Sequence, residues 1–254
     1  AGGRVVKNVT GYDLCKLLAG SFGTLAVMGH VTFKVLPAPE RTTTLALLSD
    51  DLDDLAARLR RAAGTAYEVS GAALLPPAAL AGCGVPALQG AGSAAALMRI
   101  EGVGPSVHDR MTSLIREIAA DVPHVVVGEE SLALWRAIRD LAVLPPRRVL
   151  WRLSVAPTAG LPVARRLMEL GADLFLDQVG GQVWATMDET WTDRVRALVA
   201  DGGHATLVRA PDEARRDIAV FQPQPPALAA LAKRVKQAFD PENILEPGRM
   251  APVA

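Results

Sequence analysis

The feature that most constrains the fold is an order of strand and helix signals that occurs twice along the chain. The first copy covers residues 42–128 and the second covers residues 149–209, and each reads strand, helix, strand, strand, helix, strand. This order is typical of ferredoxin-like folds, which carry helices on an antiparallel sheet. The sequence therefore predicts an α+β protein with two tandem βαββαβ units, built either as two antiparallel sheets or as one merged sheet.

Apolar residues at helical spacing and β-branched runs of strand length carry this assignment. In the first copy, we predict strands at 42–48, 67–75, 95–100 and 124–128, a helix capped by Ser49, and a helix with a capping box from Ser106 to Asp109. In the second copy, we predict strands at 149–155, 173–179, 183–187 and 204–209, helices at 161–170 and 188–200, and a hairpin turn at Gly180-Gly181. Elsewhere, we predict an irregular connection at 76–92, a linking helix at 131–142 and a final helix at 228–239.

The charge balance and the spacing of apolar residues exclude several classes of protein. The chain has 27 basic and 27 acidic residues, so it lacks the basic excess that nucleic-acid binding requires. No uninterrupted apolar stretch approaches the roughly 20 residues that span a bilayer, and residues 1–13 contain no signal-peptide core. We expect a cytoplasmic globular protein with no transmembrane segment and no nucleic-acid partner.

The richest stretch for chemistry is residues 2–37, which contains a glycine-punctuated turn at residues 20–24, here called the glycine loop. The loop lies between a predicted helix at 12–18 and a predicted strand at 25–36. Glycine permits a positive φ and lets backbone N–H groups approach a phosphate, a ribose or a flavin edge. Such turns are more often only turns, so the loop alone is a weak signal. Because the chain lacks an initial Met and opens inside this stretch, we expect it to be a fragment.

Two motifs at opposite ends of the chain are more specific than the loop. The first is Lys7-Asn8-Val9-Thr10-Gly11-Tyr12-Asp13-Leu14, followed by Gly20-Ser21-x-Gly23-Thr24-Leu25 and Lys34-Val35-Leu36-Pro37. The second, here called the closing segment (residues 239–250), is Phe239-Asp240-Pro241-x-x-Ile244-Leu245-x-Pro247-Gly248-Arg249-Met250. Together they resemble the FAD-linked oxidases of the vanillyl-alcohol-oxidase (PCMH-type) superfamily, most closely the glycolate oxidase and D-lactate dehydrogenase-like proteins. The chain departs from that pattern at Ala26, usually Gly, and at Glu246, usually Asn.

The resemblance implies three parts of the chain and one cofactor, FAD. Residues 1–40 would be the C-terminal part of the FAD-binding domain, whose N-terminal half is absent. Residues 41–222 would form the ferredoxin-like cap, and residues 223–254 a helix and tail that return to the FAD-binding domain. In the family, the loop and the following strand contact FAD largely through the backbone. The residues nominated for cofactor binding are Asn8, Gly11, Ser21, Gly23, Thr24 and Val27, with Tyr12 and Asp13 as supports.

The resemblance also implies a reaction and partners. It points to the FAD-binding subunit of a glycolate oxidase complex, which oxidises glycolate to glyoxylate and passes electrons to an iron–sulfur subunit. The implied partners are a catalytic flavin subunit, the iron–sulfur subunit and a small 2-hydroxy acid. The resemblance leaves open whether the complex holds this chain at the inner face of the membrane.

A missing motif argues against a metal site. Catalytic relatives carry a histidine-rich hairpin followed by Glu-His-Gly, whereas residues 173–187 here contain no histidine and Val208-Arg209-Ala210 stands in the later position. A metal requires several converging donors, so we predict no metal and assign no catalytic residue. Two alternatives stay open: a catalytic FAD oxidoreductase acting on another small 2-hydroxy acid, and a non-catalytic cap or subunit-interaction module.

Three polar residues in the second copy have two interpretations each. His204 is either an acid/base or hydrogen-bonding group near the flavin, or a packing residue at a helix end. Arg152 and Arg209 could bind a substrate carboxylate bidentately, or they are solvent-side residues of alternating strands.

Overall fold

The structure is a computed structural model that describes residues 3–5, 11–90, 92–119 and 123–250. The chain divides into two compact units. Unit 1 comprises Ala1–Pro37 with Arg215–Ala254, and unit 2 comprises Ala38–Ala214. Within the described ranges, no helix has both the length and the apolar character needed to cross a membrane.

Unit 2 contains the sheet, and helices occur in both units. The strands are β1 (Arg41–Ser49), β2 (Gly71–Leu75), β3 (Ala94–Gly102), β4 (His124–Val127), β5 (Val149–Ser154), β6 (Asp173–Asp177), β7 (Gln182–Met187) and β8 (His204–Arg209). The helices are α1 (Leu14–Leu18), α2 (Leu52–Ala63), α3 (Pro77–Ala81), α4 (Pro86–Gln89), α5 (Gly104–Ile118), α6 (Gly128–Arg139), α7 (Gly160–Glu169), α8 (Thr192–Ala197), α9 (Asp212–Asp217) and α10 (Pro226–Phe239).

All eight strands form one sheet in the order β4-β1-β3-β2-β6-β7-β5-β8. The first copy supplies β4-β1-β3-β2 and the second supplies β6-β7-β5-β8, and neighbouring strands are antiparallel. The two copies join where Leu74 of β2 pairs with Leu176 of β6. The predicted pair of βαββαβ units is therefore confirmed, and the merged sheet is the arrangement that forms.

The first half of the sheet is buried on both faces. Ala46 of β1 packs in a buried cluster with Leu134 and Trp135 of α6. Because side chains alternate along a strand, Leu45 and Leu47 point to the opposite face, and they are buried as well. Helices therefore cover more of this sheet than the one face that the ferredoxin-like pattern predicts.

The stretch predicted as an irregular connection, residues 76–92, supplies part of this extra cover. It contains α3 and α4, each with proline in its first turn, where the missing N–H costs nothing. Leu80 and Leu88 from these helices join the same buried cluster as Trp135. The prolines that indicated an irregular connection instead start two short helices.

Three other predicted details are wrong. The helix α2 is capped by Asp51, whose side chain accepts from the backbone N of Asp53 and Asp54, and not by Ser49. The helix α5 begins at Gly104 with no side-chain cap, so the Ser106–Asp109 capping box does not form. The turn between β6 and β7 is the 3-10 turn Gln178–Gly180 rather than a two-residue Gly-Gly turn.

The predicted strand at 25–36 does not form. A strand requires hydrogen bonds to a neighbouring strand, and the described part of unit 1 contains no strand. Its apolar side chains remain exposed, with Phe33 at 79% and Leu36 at 85%.

Candidate functional site

The glycine loop is a tight turn closed by two hydrogen bonds to one carbonyl group. Both the backbone N of Thr24 (3.0 Å) and its Oγ1 (2.7 Å) donate to the carbonyl oxygen of Ser21. The central residues Phe22 and Gly23 have φ values of 52° and 78°, as in a type I′ turn. The loop therefore needs Gly23 for its backbone shape.

Phe22 holds a backbone conformation that bulky residues avoid, at a cost of about 1–2 kcal/mol. Its ring lies 5.2 Å from the ring of Phe221 at an angle of 55°. A tilted aromatic pair of this kind contributes about 0.5–1.5 kcal/mol beyond area burial. The ring contact therefore offsets much of the backbone strain.

The closing segment and α10 hold the glycine loop from one side. The Lys236 Nζ donates to the carbonyl oxygens of Thr24 and Leu245, both at 2.8 Å, and forms an ion pair with Asp240. The Thr24 Oγ1 also lies 3.6 Å from the Sδ of Met250. The two motifs that resemble the same family thus meet in unit 1, although they lie at opposite ends of the chain.

Asp240 is the buried anion of this arrangement. Its carboxylate accepts backbone hydrogen bonds from Ile244 (3.1 Å) and Leu245 (2.9 Å) as well as the bond from Lys236. The hydrogen bond from Lys236, and then the two backbone bonds, hold the pKa of Asp240 below its usual range. The carboxylate therefore stays ionised and fixes both the lysine and the turn that follows α10.

Three of the residues nominated for cofactor binding lie together in the glycine loop. Ser21 and Thr24 are buried, at 6% and 7% exposure, and Gly23 lies between them. A fourth, Asp13, caps α1 by accepting from the backbone N of Lys16 at 3.2 Å, and it also pairs with that lysine's ammonium group. The side chains of Asp13 and Thr24 and the backbone carbonyl of Ser21 therefore stabilise the local fold.

The other nominated residues lie away from the turn. Tyr12 and Val27 are exposed, at 94% and 85%. Gly11 has a φ of 80° and open space where a Cβ would be. Asn8 lies outside the described residues.

Whether FAD fits this region depends on the backbone N–H groups that follow the glycine loop. Among the described residues, none accepts a hydrogen bond from the N–H groups of Leu25, Ala26 or Val27. Three successive donors without an acceptor in the described part of the chain, on residues that are half-buried or exposed, suit a ligand edge that carries hydrogen-bond acceptors. The residues present therefore fit contact with one edge of a flavin cofactor through the backbone.

Unit 2 contains a separate groove of about 770 Å³, here called the sheet groove. It lies between α6 and the β6–β7 hairpin, with Gly71 and Arg99 beneath it. The Arg99 guanidinium lies 5.0 Å from the Trp135 ring centre, and the indole N–H of Trp135 donates to Thr44 Oγ1 at 2.8 Å. A buried hydrogen bond therefore fixes the Trp135 ring, which lines the sheet groove.

The cations of the sheet groove are already paired with carboxylates. Among the described residues, Arg99 pairs with Glu101, and the Arg99 Nε donates to Ser70 Oγ at 3.1 Å. The other two pairs are Arg136 with Glu129 and Arg139 with Asp140. The groove therefore gives little support to binding of an anionic substrate.

Of the three polar residues of the second copy, the two arginines have contacts within the protein. The Arg152 guanidinium lies 5.9 Å from the Trp184 ring centre, and the Arg209 Nη2 donates to the Arg147 carbonyl at 3.1 Å. His204 is exposed at the start of β8.

Across the described ranges, no group of three or more His, Cys, Asp or Glu side chains could hold a metal ion. The predicted absence of a metal stays a prediction.

Lys236 is the residue of this site that the sequence analysis missed. The spacing of Lys236 and Asp240, four residues apart at the end of an amphipathic helix, was the available signal for an ion pair.

Sequence comparison relates the chain to glycolate oxidase subunits. It is 29% identical over 255 residues to glycolate oxidase subunit GlcE of Escherichia coli (strain K12), covering 98% of this chain and 60% of that protein. It is 28% identical over 291 residues to glycolate oxidase subunit GlcD of Bacillus subtilis (strain 168), covering 98% and 59%. A D-lactate dehydrogenase of Archaeoglobus fulgidus is 42% identical over 53 residues, covering 21% and 12%. No protein-family model matches the chain.

The predicted likeness to glycolate oxidase subunits is thus confirmed, and the chain spans about 60% of the length of the two subunits it matches. Among solved structures, alkyldihydroxyacetonephosphate synthase is similar with a TM-score of 0.56 and 12% identity, over 95% of this chain and 50% of that one. The structure of p-cresol methylhydroxylase with substrate bound gives a TM-score of 0.57 and 16% identity, over 85% and 53%. These likenesses confirm the predicted PCMH-type fold.

Proposed function

We propose that this chain is the carboxy-terminal part of the FAD-binding subunit of a glycolate oxidase complex, which oxidises glycolate to glyoxylate. The observation that carries the proposal is the match to glycolate oxidase subunit GlcE over 98% of the chain. The contact between the glycine loop and the closing segment supports it, because both resemble parts of one FAD-binding domain.

The proposed domains are an FAD-binding part and a cap. Residues 1–40 and 223–254 belong to the FAD-binding domain, and residues 41–222 form the ferredoxin-like cap. The division into two compact units, one of which joins the two ends of the chain, supports this assignment.

FAD, when bound, supplies the acceptor for the electrons of the substrate. In this chain, the N–H groups of Leu25, Ala26 and Val27 would donate to an acceptor edge of the cofactor. Ser21 and Thr24 hold the preceding turn in shape. The other residues assigned to the cofactor region are Asn8, Gly11, Tyr12, Asp13 and Gly23.

The proposed partners are a catalytic flavin subunit and an iron–sulfur subunit that receives the electrons. The names of both relatives, which call them glycolate oxidase subunits, support a place in a complex. No metal ligand and no catalytic residue is assigned to this chain, and the proposed location is the cytoplasm.

Activity of the assembled complex tests this proposal. The complete subunit would be co-expressed with its two partners, and glycolate-dependent dye reduction would be compared with that of a preparation lacking the subunit. We expect at least tenfold lower activity without it. Full activity in its absence would refute a role in glycolate oxidation.

A second candidate is a catalytic FAD oxidoreductase that acts alone on another small 2-hydroxy acid. The match to glycolate oxidase subunit GlcD and the local match to D-lactate dehydrogenase favour it. Anaerobic mixing of the complete protein alone with D-lactate distinguishes the two candidates, because flavin bleaching without partners is expected only for the second.

A further inference from the structure

One ammonium group joins the glycine loop, the end of α10 and the closing segment. The Lys236 Nζ binds Thr24, Leu245 and Asp240, so its three N–H donors each have an acceptor. The lysine side chain is only 24% exposed and that of Asp240 only 3%. An arrangement this enclosed fixes the direction of each group that it binds.

The contact with Thr24 matters because of the peptide that follows. The carbonyl of Thr24 and the N–H of Leu25 belong to one planar peptide unit, and in a trans peptide they point in opposite directions. Since Lys236 holds the carbonyl, the N–H of Leu25 must point away from the lysine. That N–H is the first of three donors after the glycine loop that have no acceptor among the described residues.

We propose that Lys236, anchored by Asp240, is a positioning residue that turns the Leu25 N–H toward the hydrogen-bond acceptor edge of FAD. This inference rests on the proposed function. Lys236 itself donates to protein groups and has no remaining donor for the cofactor. Its effect on the cofactor therefore passes through the orientation of a single peptide.

The test replaces Lys236 with Met, which keeps an apolar stem and removes all three hydrogen bonds. Lys233→Met is the matched control, because Lys233 lies on the same helix, is exposed and has no hydrogen bond within the described part of the chain. Asp240→Asn is a second variant, which weakens the anchor of Lys236 while preserving the lysine. If Lys236→Met does not fold, Asp240→Asn decides the outcome.

Two measurements are made on each variant. Hydrogen exchange on the 254-residue chain reports on the Ser21 and Thr24 amides, which donate to the carbonyl oxygens of Leu18 and Ser21. Titration with FAD on the complete subunit reports affinity and the flavin absorption spectrum at saturation. We expect Lys236→Met to speed exchange of the turn amides and weaken FAD binding at least tenfold. We also expect a changed flavin spectrum at saturation, with Lys233→Met like the wild type.

Three outcomes would overturn the proposal. Wild-type affinity and spectrum in Lys236→Met would show that the peptide orientation does not depend on the lysine. Weaker binding with unchanged turn exchange and an unchanged spectrum would indicate a general loss of stability. If the wild-type complete subunit binds no FAD, the proposed function and the role of Lys236 both fail. The other two outcomes concern the variants alone, so the two failures can be told apart.

Discussion

Asp177 ends β6 beside the sheet groove, where its carboxyl group is partly buried. Burial raises the pKa of this carboxyl group, while the N–H of Gln178 and the charge of Arg99 oppose the rise. The folded-state pKa therefore lies above the ordinary value of about 3.9. The contribution of Asp177 to stability is complete below that value and is lost as the pH rises through the folded-state pKa.

Replacing Asp177 with Asn should therefore stabilise unit 2 at pH 7. Asparagine keeps an oxygen for the Gln178 N–H, which donates to Asp177 Oδ1 at 2.7 Å, and carries no charge to bury. The gain in the free energy of unfolding should shrink as the pH falls to 3. Urea unfolding at both pH values checks this, with the exposed Asp50→Asn as control. A destabilised Asp177→Asn variant at pH 7 would contradict the account.

Individual residues of unit 1 show which parts of the candidate site the sequence predicts and which it does not. The glycine loop was predicted from its glycines, and the fold around it uses Ser21 and Thr24 as internal hydrogen-bonding groups. The part played by Lys236 could not be predicted, because its acceptor on Thr24 is 212 positions away in the chain. A backbone carbonyl has no sequence signature, so only the folded chain identifies it as the partner.

At the scale of elements, the start of α7 lies directly against the β6–β7 hairpin. A Cβ on Gly160 would lie 1.9 Å from the carbonyl oxygen of Gly180, and Gly180 has a φ of +91°. Both positions therefore require glycine, one because of a close approach and one because of its backbone conformation.

Gly160→Ala should destabilise unit 2 by about 2–3 kcal/mol, since the collision is with backbone rather than with a mobile side chain. Gly90→Ala is the matched control, because its Cβ would meet nothing within 4 Å and its φ is −86°. It should be neutral or stabilising by up to about 1 kcal/mol. Urea unfolding of both variants measures the difference, and equal stabilities would show that α7 does not pack on the hairpin in this way.

Periodicity located most elements because burial on one face leaves a pattern in the chain. Residues 204–209 were predicted as a strand, and β8 has those bounds. The pattern failed at residues 25–36, which have the composition of a strand. Strand formation depends on a pairing partner, and composition carries no information about whether one is present.

At the scale of the whole molecule, the merging of the two repeats could not be predicted. The choice between one sheet and two depends on the edges of β2 and β6, which meet at Leu74 and Leu176. These residues lie far apart in the chain, and the apolar pattern along each strand does not specify which sheet edges meet. The sheet groove adjoins this seam, so its position could not be predicted from the sequence either.

Unit 1 leaves much apolar surface uncovered. Val27, Phe33, Val35 and Leu36 are exposed, and α10 has no buried residue. Exposed apolar surface on this scale is typical of an interaction site. The proposed function accounts for it, because the remainder of an FAD-binding domain would pack against this unit.

The visible spectrum tests the central claim most directly. The 254-residue chain spans about 60% of the length of the glycolate oxidase subunits that it matches, so on the proposed function it should not hold FAD tightly. Loss of three charge-assisted hydrogen bonds, each worth about 1.5–3 kcal/mol, removes several orders of magnitude in affinity. The complete subunit, purified with its partners, should show a flavin band that bleaches when glycolate is added without oxygen. A colourless complete subunit, or a flavin band unchanged by glycolate in the assembled complex, would contradict the account.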